Sequence, residues 1–283
     1  MPDDNWRWDE TLFAGAAPYY TRGRLPYAAG LADAIRDGLG LDGAGRLIDV
    51  GCGPGTVALR LAHLFDEVVG VDPDPGMLFE AEREAAKAGA ANACWVKMRA
   101  EALPGDLGTF RVATFSRSFH WMDRDLVAAI MLAMLERDGR GAFVQITEAA
   151  DGEPASPEPV MPYPALPLQA IDDLVQHYLG PDRRAGQGIR NSSPDDEAIV
   201  LERAGFPPPQ VARIGEREVI ERPIDDVVAR VFSASSSAPH LFGARLSEFE
   251  SDLRALLAAA APTGSFAERI PNTEIRIWRT PPL

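Results

Sequence analysis

The sequence predicts an α/β protein, an open and largely parallel sheet with helices on both faces and a helical cover inserted after it. Three observations carry this. Between Arg46 and Glu148, short runs rich in β-branched residues alternate with amphipathic helical stretches, the pattern of successive strand–helix units. The first such run, "LIDV", passes through the glycine-rich turn "GCGPG" directly into the helix-like "TVALRLAHLF". The second ends on Asp72, about twenty residues further on, where an open sheet presents its ligands.

Each element follows in order. "RLIDVG" reads as the first strand, and the helix after it places Val57, Leu61, Leu64 and Phe65 on one face. "EVVGVD" is the second strand, and "DPGMLFEAEREAAKAG" a helix that Gly89 ends. "ACWVKM" and "RVATFS" are the third and fourth strands. Asp123 is placed to cap "RDLVAAIMLAML", and "RGAFVQIT" is the fifth strand. Six prolines between Pro154 and Pro167 exclude a helix or central strand and mark a surface connection, followed by the helix "LQAIDDLVQHYL". "PDDEAIVLERAGF" is a capped helix ending at Gly205. "QVARIGEREVIE" and "PNTEIRIWRT" alternate as strands and are expected at the sheet edge as the sixth and seventh. Between them, "IDDVVARVFSAS" and "LSEFESDLRALLAAA" are helices with no place in a minimal sheet; the second presents Leu246, Phe249, Leu253, Leu256, Leu257 and Ala260 on one face. The expected organisation is a single domain, with a core over residues 28–150 and covering elements at 1–27, 151–193 and 222–268.

Composition narrows the function. A chain of 283 residues, 46% hydrophobic and 25% charged, buries a large core and is not disordered over most of its length. With 42 acidic against 28 basic residues and no Lys/Arg cluster, its net charge of −14 would repel a phosphate backbone, so nucleic acid is not an expected partner. Cys52 and Cys94 form no CxxC and no disulfide framework. Both are expected in buried or tight segments of a protein kept reduced, and no metal site is expected. The acidic start "MPDDNWRWDE" is unlike a secretory leader, and "ALLAAAA" before Pro262 is too short to span a bilayer. A cytoplasmic protein away from the membrane is the expectation; oligomeric state is left open.

The turn and the aspartate are read together. Glycines after a strand let backbone amides approach a nucleotide closely, and a carboxylate ending the next strand accepts both hydroxyl hydrogens of a ribose. A pyrophosphate fingerprint needs a glycine where Thr56 stands, which counts against a nicotinamide cofactor. Cys52, between two glycines, is explained by its small size better than as a nucleophile. His120, just after the fourth strand, has the chemistry of a general base for a hydroxyl or amine, and equally that of a packing residue at the sheet's end. His63, His177 and His240 read as structural or solvent-facing.

"DVGCGPG" with "GVDPDPGML" resembles the motifs of class I S-adenosylmethionine-dependent methyltransferases. "RAEALP" resembles the family's third-strand motif, with Arg99 where an acidic residue is often found. "FAGAAPYYTRGRLPY", "FSRSFHWMDRD", "LERAGF" and "SASSSAPHLFG" extend the similarity to the small-molecule branch that includes trans-aconitate-type and natural-product enzymes.

The resemblance implies a Rossmann-like seven-stranded methyltransferase sheet binding S-adenosyl-L-methionine and releasing S-adenosyl-L-homocysteine. By it, Asp49, Gly51, Gly53 and Gly55 would line the methionine and ribose side and Asp72 would hold the ribose. Pro73, Met77, Ala100, Glu101 and Ser116 would complete the cofactor site. Tyr20 and Arg24 would close over the amino-acid end, a guanidinium suiting a carboxylate and a tyrosine face shielding a sulfonium. Methyl transfer needs alignment in a dry pocket more than acid–base residues, so acceptor specificity is expected in the cover. The candidates there are Trp6, Trp8, Tyr163, Tyr178, Phe232 and Phe242, with Arg183, Arg184 and Arg190. The expected acceptor is a small molecule methylated on oxygen or nitrogen. Carboxyl methylation of a small organic acid and a catalytically silent cofactor-binding protein stay open.

Overall fold

The computed structural model describes residues 9–149, 161–182, 184–185, 188–189, 196–215 and 218–281. Five parallel strands form its centre: β1 (Arg46–Val50), β2 (Glu67–Asp72), β3 (Ala93–Lys97), β4 (Val112–Ser116) and β5 (Ala142–Glu148). Two two-residue strands, β6 (Arg184–Ala185) and β7 (Gly188–Ile189), pair with each other. The sheet is completed by β8 (Gln210–Ile214) and the C-terminal β11 (Thr273–Arg279), in the order β3-β2-β1-β4-β5-β11-β8. Strand β11 runs antiparallel to both neighbours. A separate antiparallel pair joins β9 (Val219–Pro223) to β10 (Ser265–Arg269).

Successive side chains point to opposite faces, and the core divides accordingly. Leu47, Val68, Val112 and Val144 pack under α2 (Leu31–Leu39) and α3 (Thr56–Leu61). Their chain neighbours Ile48, Val69, Ala113 and Phe143 pack with α5 (Arg124–Met134) and α7 (Glu197–Ala204). On that second face Phe115 stacks on Phe143 at 4.3 Å, and Trp278 meets Phe143 edge-on. Rings buried this completely contribute about 1.5–3 kcal/mol each, enough to fix β11 beside β5. Helix α4 (Pro75–Ala88) starts at the Asp74 cap, whose carboxylate accepts from the Gly76 and Met77 amides, and ends at Gly89 in the left-handed conformation. Asp123 caps α5 and Asp196 caps α7 by the same device.

The cover has its own core. Helices α6 (Leu168–Leu179), α8 (Ile224–Phe232) and α9 (Leu246–Ala260) enclose Phe232, Phe242, Phe249 and Leu253. Helix α1 (Ala17–Gly23) docks on α8 at closest approach: a Cβ on Gly23 would stand 2.3 Å from the Ala229 carbonyl oxygen.

Four expectations change. The alternating stretch 210–221 is broken at Gly215 and supplies two strands to two different sheets. The C-terminal strand is internal, because its apolar residues Ile275, Ile277 and Trp278 are buried on both faces and need neighbours on both sides. Cys94 is exposed, since β3 is the sheet's edge. Ala260 lies at the exposed end of α9, outside its buried stripe.

Candidate functional site

At the carboxyl ends of β1, β2 and β4 the chain encloses two adjoining cavities. The turn after β1 is tied down by its first amides: Gly51 N and Cys52 N both donate to the Val71 carbonyl at the end of β2, at 2.8 and 3.1 Å. Gly51 adopts φ +69°, and a Cβ there would press to 2.6 Å of Ser118 Cβ, so only glycine serves. Gly53, at φ +53°, would carry its Cβ into open space, which leaves its backbone bare to the cavity.

The larger cavity, about 690 Å³, lies between Asp72, Pro73 and Met77 on one side and Ala100, Glu101 and Ser116 on the other. Asp72 accepts hydrogen bonds from Gly53 N and Asp74 N, each at 2.9 Å. Burial pushes its carboxyl up to about 6, with those two amides opposing. Glu101 is engaged by Asp123 N at 3.0 Å and so fixes the start of α5 against the cavity wall. The segment 10–15 contributes a strap to the lining, through Glu10, Leu12, Phe13, Ala14 and Gly15. They are anchored by His240, whose Nδ1 stands 2.9 Å from the Ala14 carbonyl, and Phe13 meets Trp121 edge-on.

The smaller cavity, about 360 Å³, continues past Tyr20, Gly51, Gly53, Ser116 and Arg117, which line both. It is bounded by Arg24, Tyr27, Asp49 and Arg222. Asp49 is 2% exposed and accepts from Thr114 Oγ1 (2.7 Å) and Ala58 N (3.2 Å). Burial raises it to about 6, against those hydrogen bonds. Arg24 donates through Nη2 to the Ser233 carbonyl at 2.6 Å and lies over the Tyr20 ring at 5.0 Å. Its Nε is buried with no hydrogen-bond partner, and burial lowers the guanidinium from its ordinary value.

The residues the motifs single out therefore converge, with two exceptions. Gly55 caps α3 in the left-handed conformation and faces Trp95, to which a Cβ would approach within 2.5 Å; it lines neither cavity. His120 sits on the short helix Phe119–Trp121, its ring 4.8 Å from that of Trp121, and lines neither cavity either. Cys52 is buried, and burial pushes its thiol well above the ordinary range, which disfavours the thiolate. His63 and His177 are exposed.

Of the covering elements, the segment 1–27 lines both cavities through residues such as Phe13, Tyr20 and Arg24, whereas three of the aromatic candidates further along the chain do not. Tyr178, Phe232 and Phe242 pack with Phe249 into the cover's own core, where Phe242 stacks on Phe249 at 3.9 Å. Among the described residues, the cover from 222 onward contributes Arg222 to the cavity walls and otherwise supports α1. Trp6, Trp8, Arg183, Arg190 and the Arg184 side chain lie outside the described residues. Sequence reasoning missed Arg117 and Tyr27. Arg117 stands within "FSRSFHW", already marked as a motif, and its cationic side chain beside a strand end was the available signal.

The cavities' donors and acceptors fit a nucleoside carrying an amino acid. Asp72 offers buried acceptor capacity to a ribose diol, Met77 and Pro73 offer apolar surface to a base, and the unpartnered Arg24 Nε offers a donor to a carboxylate. Among the described residues no group of three or more His, Cys, Asp or Glu side chains is placed to hold a metal ion. No described helix is long and apolar enough to cross a membrane.

Residues 47–139 match the family described as "Methyltransferase domain". Among solved structures, the chain is similar to a candidate methyltransferase of Bacillus halodurans, at 16% identity and a TM-score of 0.51 over 89% of this chain and 100% of that one. A candidate type II methyltransferase of Anaeromyxobacter dehalogenans matches at 20% identity and a TM-score of 0.51, over 92% and 100%. The YcgJ protein of Bacillus subtilis matches at 17% and 0.50, over 89% and 98%. Likeness at these identities establishes the fold.

Proposed function

We propose that this chain, whose residues 47–139 form a methyltransferase domain on the class I methyltransferase fold, transfers a methyl group from S-adenosylmethionine to oxygen or nitrogen of a small molecule. The observation that carries the reading is the buried Asp72 carboxylate, held at the rim of the larger cavity by the Gly53 and Asp74 amides. A carboxylate so placed orients a diol, and Gly53 beside it has no side chain to keep a ligand from the turn. S-adenosylmethionine bound there would supply a methyl carbon already activated by a sulfonium.

The chain's own residues then have mainly to bind, orient and exclude water. Gly53 and Asp72 fix the nucleoside, Arg24 takes a carboxylate, and the Tyr20 ring between the two cavities shields positive charge without neutralising it. The strap 10–15, with Phe13 against Trp121, removes solvent from the larger cavity. Alignment of this kind accounts for several orders of magnitude in rate without a dedicated base, in keeping with a His120 outside both walls.

Calorimetric titration with S-adenosylmethionine and, separately, NAD tests the donor. Micromolar binding of the first and none of the second is expected; the reverse result would remove the proposal. Transfer is then read as methyl incorporation from labelled donor into a panel of small hydroxy, amino and carboxylic compounds.

A further inference from the structure

The smaller cavity holds more cationic machinery than a single amino-acid carboxylate needs. Arg24 and Arg117 converge on it, each laid over a tyrosine ring: Arg24 over Tyr20 at 5.0 Å and Arg117 over Tyr27 at 4.9 Å. Arg24 is fixed through Ser233 and keeps a buried donor free. Arg117 is held quite differently. It follows the last residue of β4, lines both cavities, and has φ +53°, a left-handed conformation that an arginine adopts only under strain. Strained residues persist where the surroundings over-determine them, and they gather at ligand clamps.

The surroundings of Arg117 are on both sides of its guanidinium. Nε donates to the Tyr27 hydroxyl at 3.0 Å, and that hydroxyl is in turn bonded to Ser116 Oγ. Nη1 donates to Glu148 at 2.8 Å. The two partners are unequal. Tyr27 is buried, whereas Glu148 ends β5 with its side chain 52% exposed. Such a solvated partner contributes little to holding the pair, since water and salt compete for it. A carboxylate is thus already seated on Arg117, carried by a side chain that solvent can take back.

We infer that Arg117 recognises a carboxylate on the methyl acceptor, which takes the place of Glu148. This rests on the methyltransferase reading and specifies its substrate class. The guanidinium fork pairs with a carboxylate through two parallel hydrogen bonds, a geometry that an amide or alcohol does not reproduce. Arg24 stays available for the amino-acid end of the donor. The larger cavity, which Arg117 also lines, includes the apolar side chains of Phe13, Trp121 and Met122. The acceptor class that fits is a small carboxylic acid with an apolar, ring-sized body.

The test titrates benzoate and benzamide into the protein saturated with S-adenosylhomocysteine, which occupies the donor's own carboxylate site. Benzoate is expected to bind at least tenfold more tightly than benzamide. Arg117→Gln should abolish that preference, and Glu148→Gln should tighten benzoate severalfold by removing its competitor. Benzoate that competes with S-adenosylhomocysteine would overturn the inference, because the anion site would then be that of the donor. So would an unchanged benzoate preference in Arg117→Gln, or an unchanged benzoate affinity in Glu148→Gln, a surface variant that tests the idea even if Arg117→Gln does not fold. Failure of the wild type to bind S-adenosylhomocysteine would instead remove the methyltransferase reading on which this one stands.

Discussion

The two cavities share a wall and differ in how the chain builds them. The larger is organised around a carboxylate, Asp72, within a run of local sequence; its bond to Gly53 spans 19 positions. The smaller is organised around guanidiniums brought from opposite ends of the chain. Arg24 reaches Ser233 across 209 positions, and Arg222 donates to the Gly23 carbonyl across 199. Under the proposed function the difference separates two tasks: a locally encoded site that would take the nucleoside, and a cationic site whose arginines are held through the contact of α1 with the cover.

The sharpest way to break this comparison is to delete the carboxylate. Asp72→Ala removes the acceptor for two hydroxyl donors, each bond to a charged group contributing about 1.5–3 kcal/mol. S-adenosylmethionine affinity should fall by about a hundredfold or more, measured by calorimetry. A Kd unchanged in Asp72→Ala would take the nucleoside out of the larger cavity altogether.

The dependence of the cationic site on docking is tested at Gly23. Gly23→Ala places a Cβ 2.3 Å from the Ala229 carbonyl, where backbone meets backbone and neither yields easily. Overpacking of this kind costs about 1–3 kcal/mol, so a lower melting temperature is expected. Because α1 carries Tyr20 and leads into Arg24, donor affinity should drop as well, by about tenfold, although no cavity-lining residue has changed. A variant that melts early yet binds the donor normally would show that the cationic site does not depend on this contact.

One carboxyl on each side titrates in the same range, so pH acts on both cavities together. Asp49 and Asp72 are both raised to about 6 from an unfolded value near 4. For a carboxyl raised on folding, the stability it contributes is fully present below the unfolded value and is lost as pH climbs through the folded one. The free protein should therefore lose stability between about pH 4 and pH 6.5, on the order of 2–3 kcal/mol for each carboxyl. Binding runs the other way, since a diol donates to ionised Asp72: donor affinity should rise about tenfold from pH 5 to pH 7. Melting curves and titrations on wild type and Asp72→Asn check both signs; in the variant the affinity step should vanish and only the Asp49 part of the melting trend should persist.

Legibility in the sequence follows the same division. The strand–helix alternation, the caps at Asp123 and Gly205, and the Gly53–Asp72 pair are each specified within about twenty residues, where periodicity and turn chemistry act. The C-terminal strand was readable as a strand, but its place between β5 and β8 depends on packing partners such as Phe143 that no local pattern identifies. The break of 210–221 into two sheets turns on Gly215, a single residue at φ +124° within an otherwise alternating stretch. Tyr178, Phe232 and Phe242 are aromatic residues in a covering segment, and composition does not distinguish lining a cavity from filling the cover's core. Arg117 was hidden for a related reason: its left-handed backbone and its contacts with Tyr27 and Glu148 are tertiary facts.

The smallest expected effect concerns His120, the residue whose type suits proton transfer best. A base that takes part in the transition state contributes about 10²–10⁴ in rate and imposes its own titration on the profile. His120 instead packs on Trp121, which meets Phe13 of the strap edge-on in the lining of the larger cavity. His120→Ala should therefore loosen one wall ring and lower kcat/KM by no more than about threefold, with the acidic limb of the pH–rate profile unmoved. The comparison is Trp121→Ala, which removes the wall itself and should raise the acceptor KM more than it lowers kcat. A hundredfold loss of kcat in His120→Ala, together with the disappearance of a limb near neutral pH, would return proton abstraction to this histidine. Alignment alone would then no longer account for the reaction in either cavity.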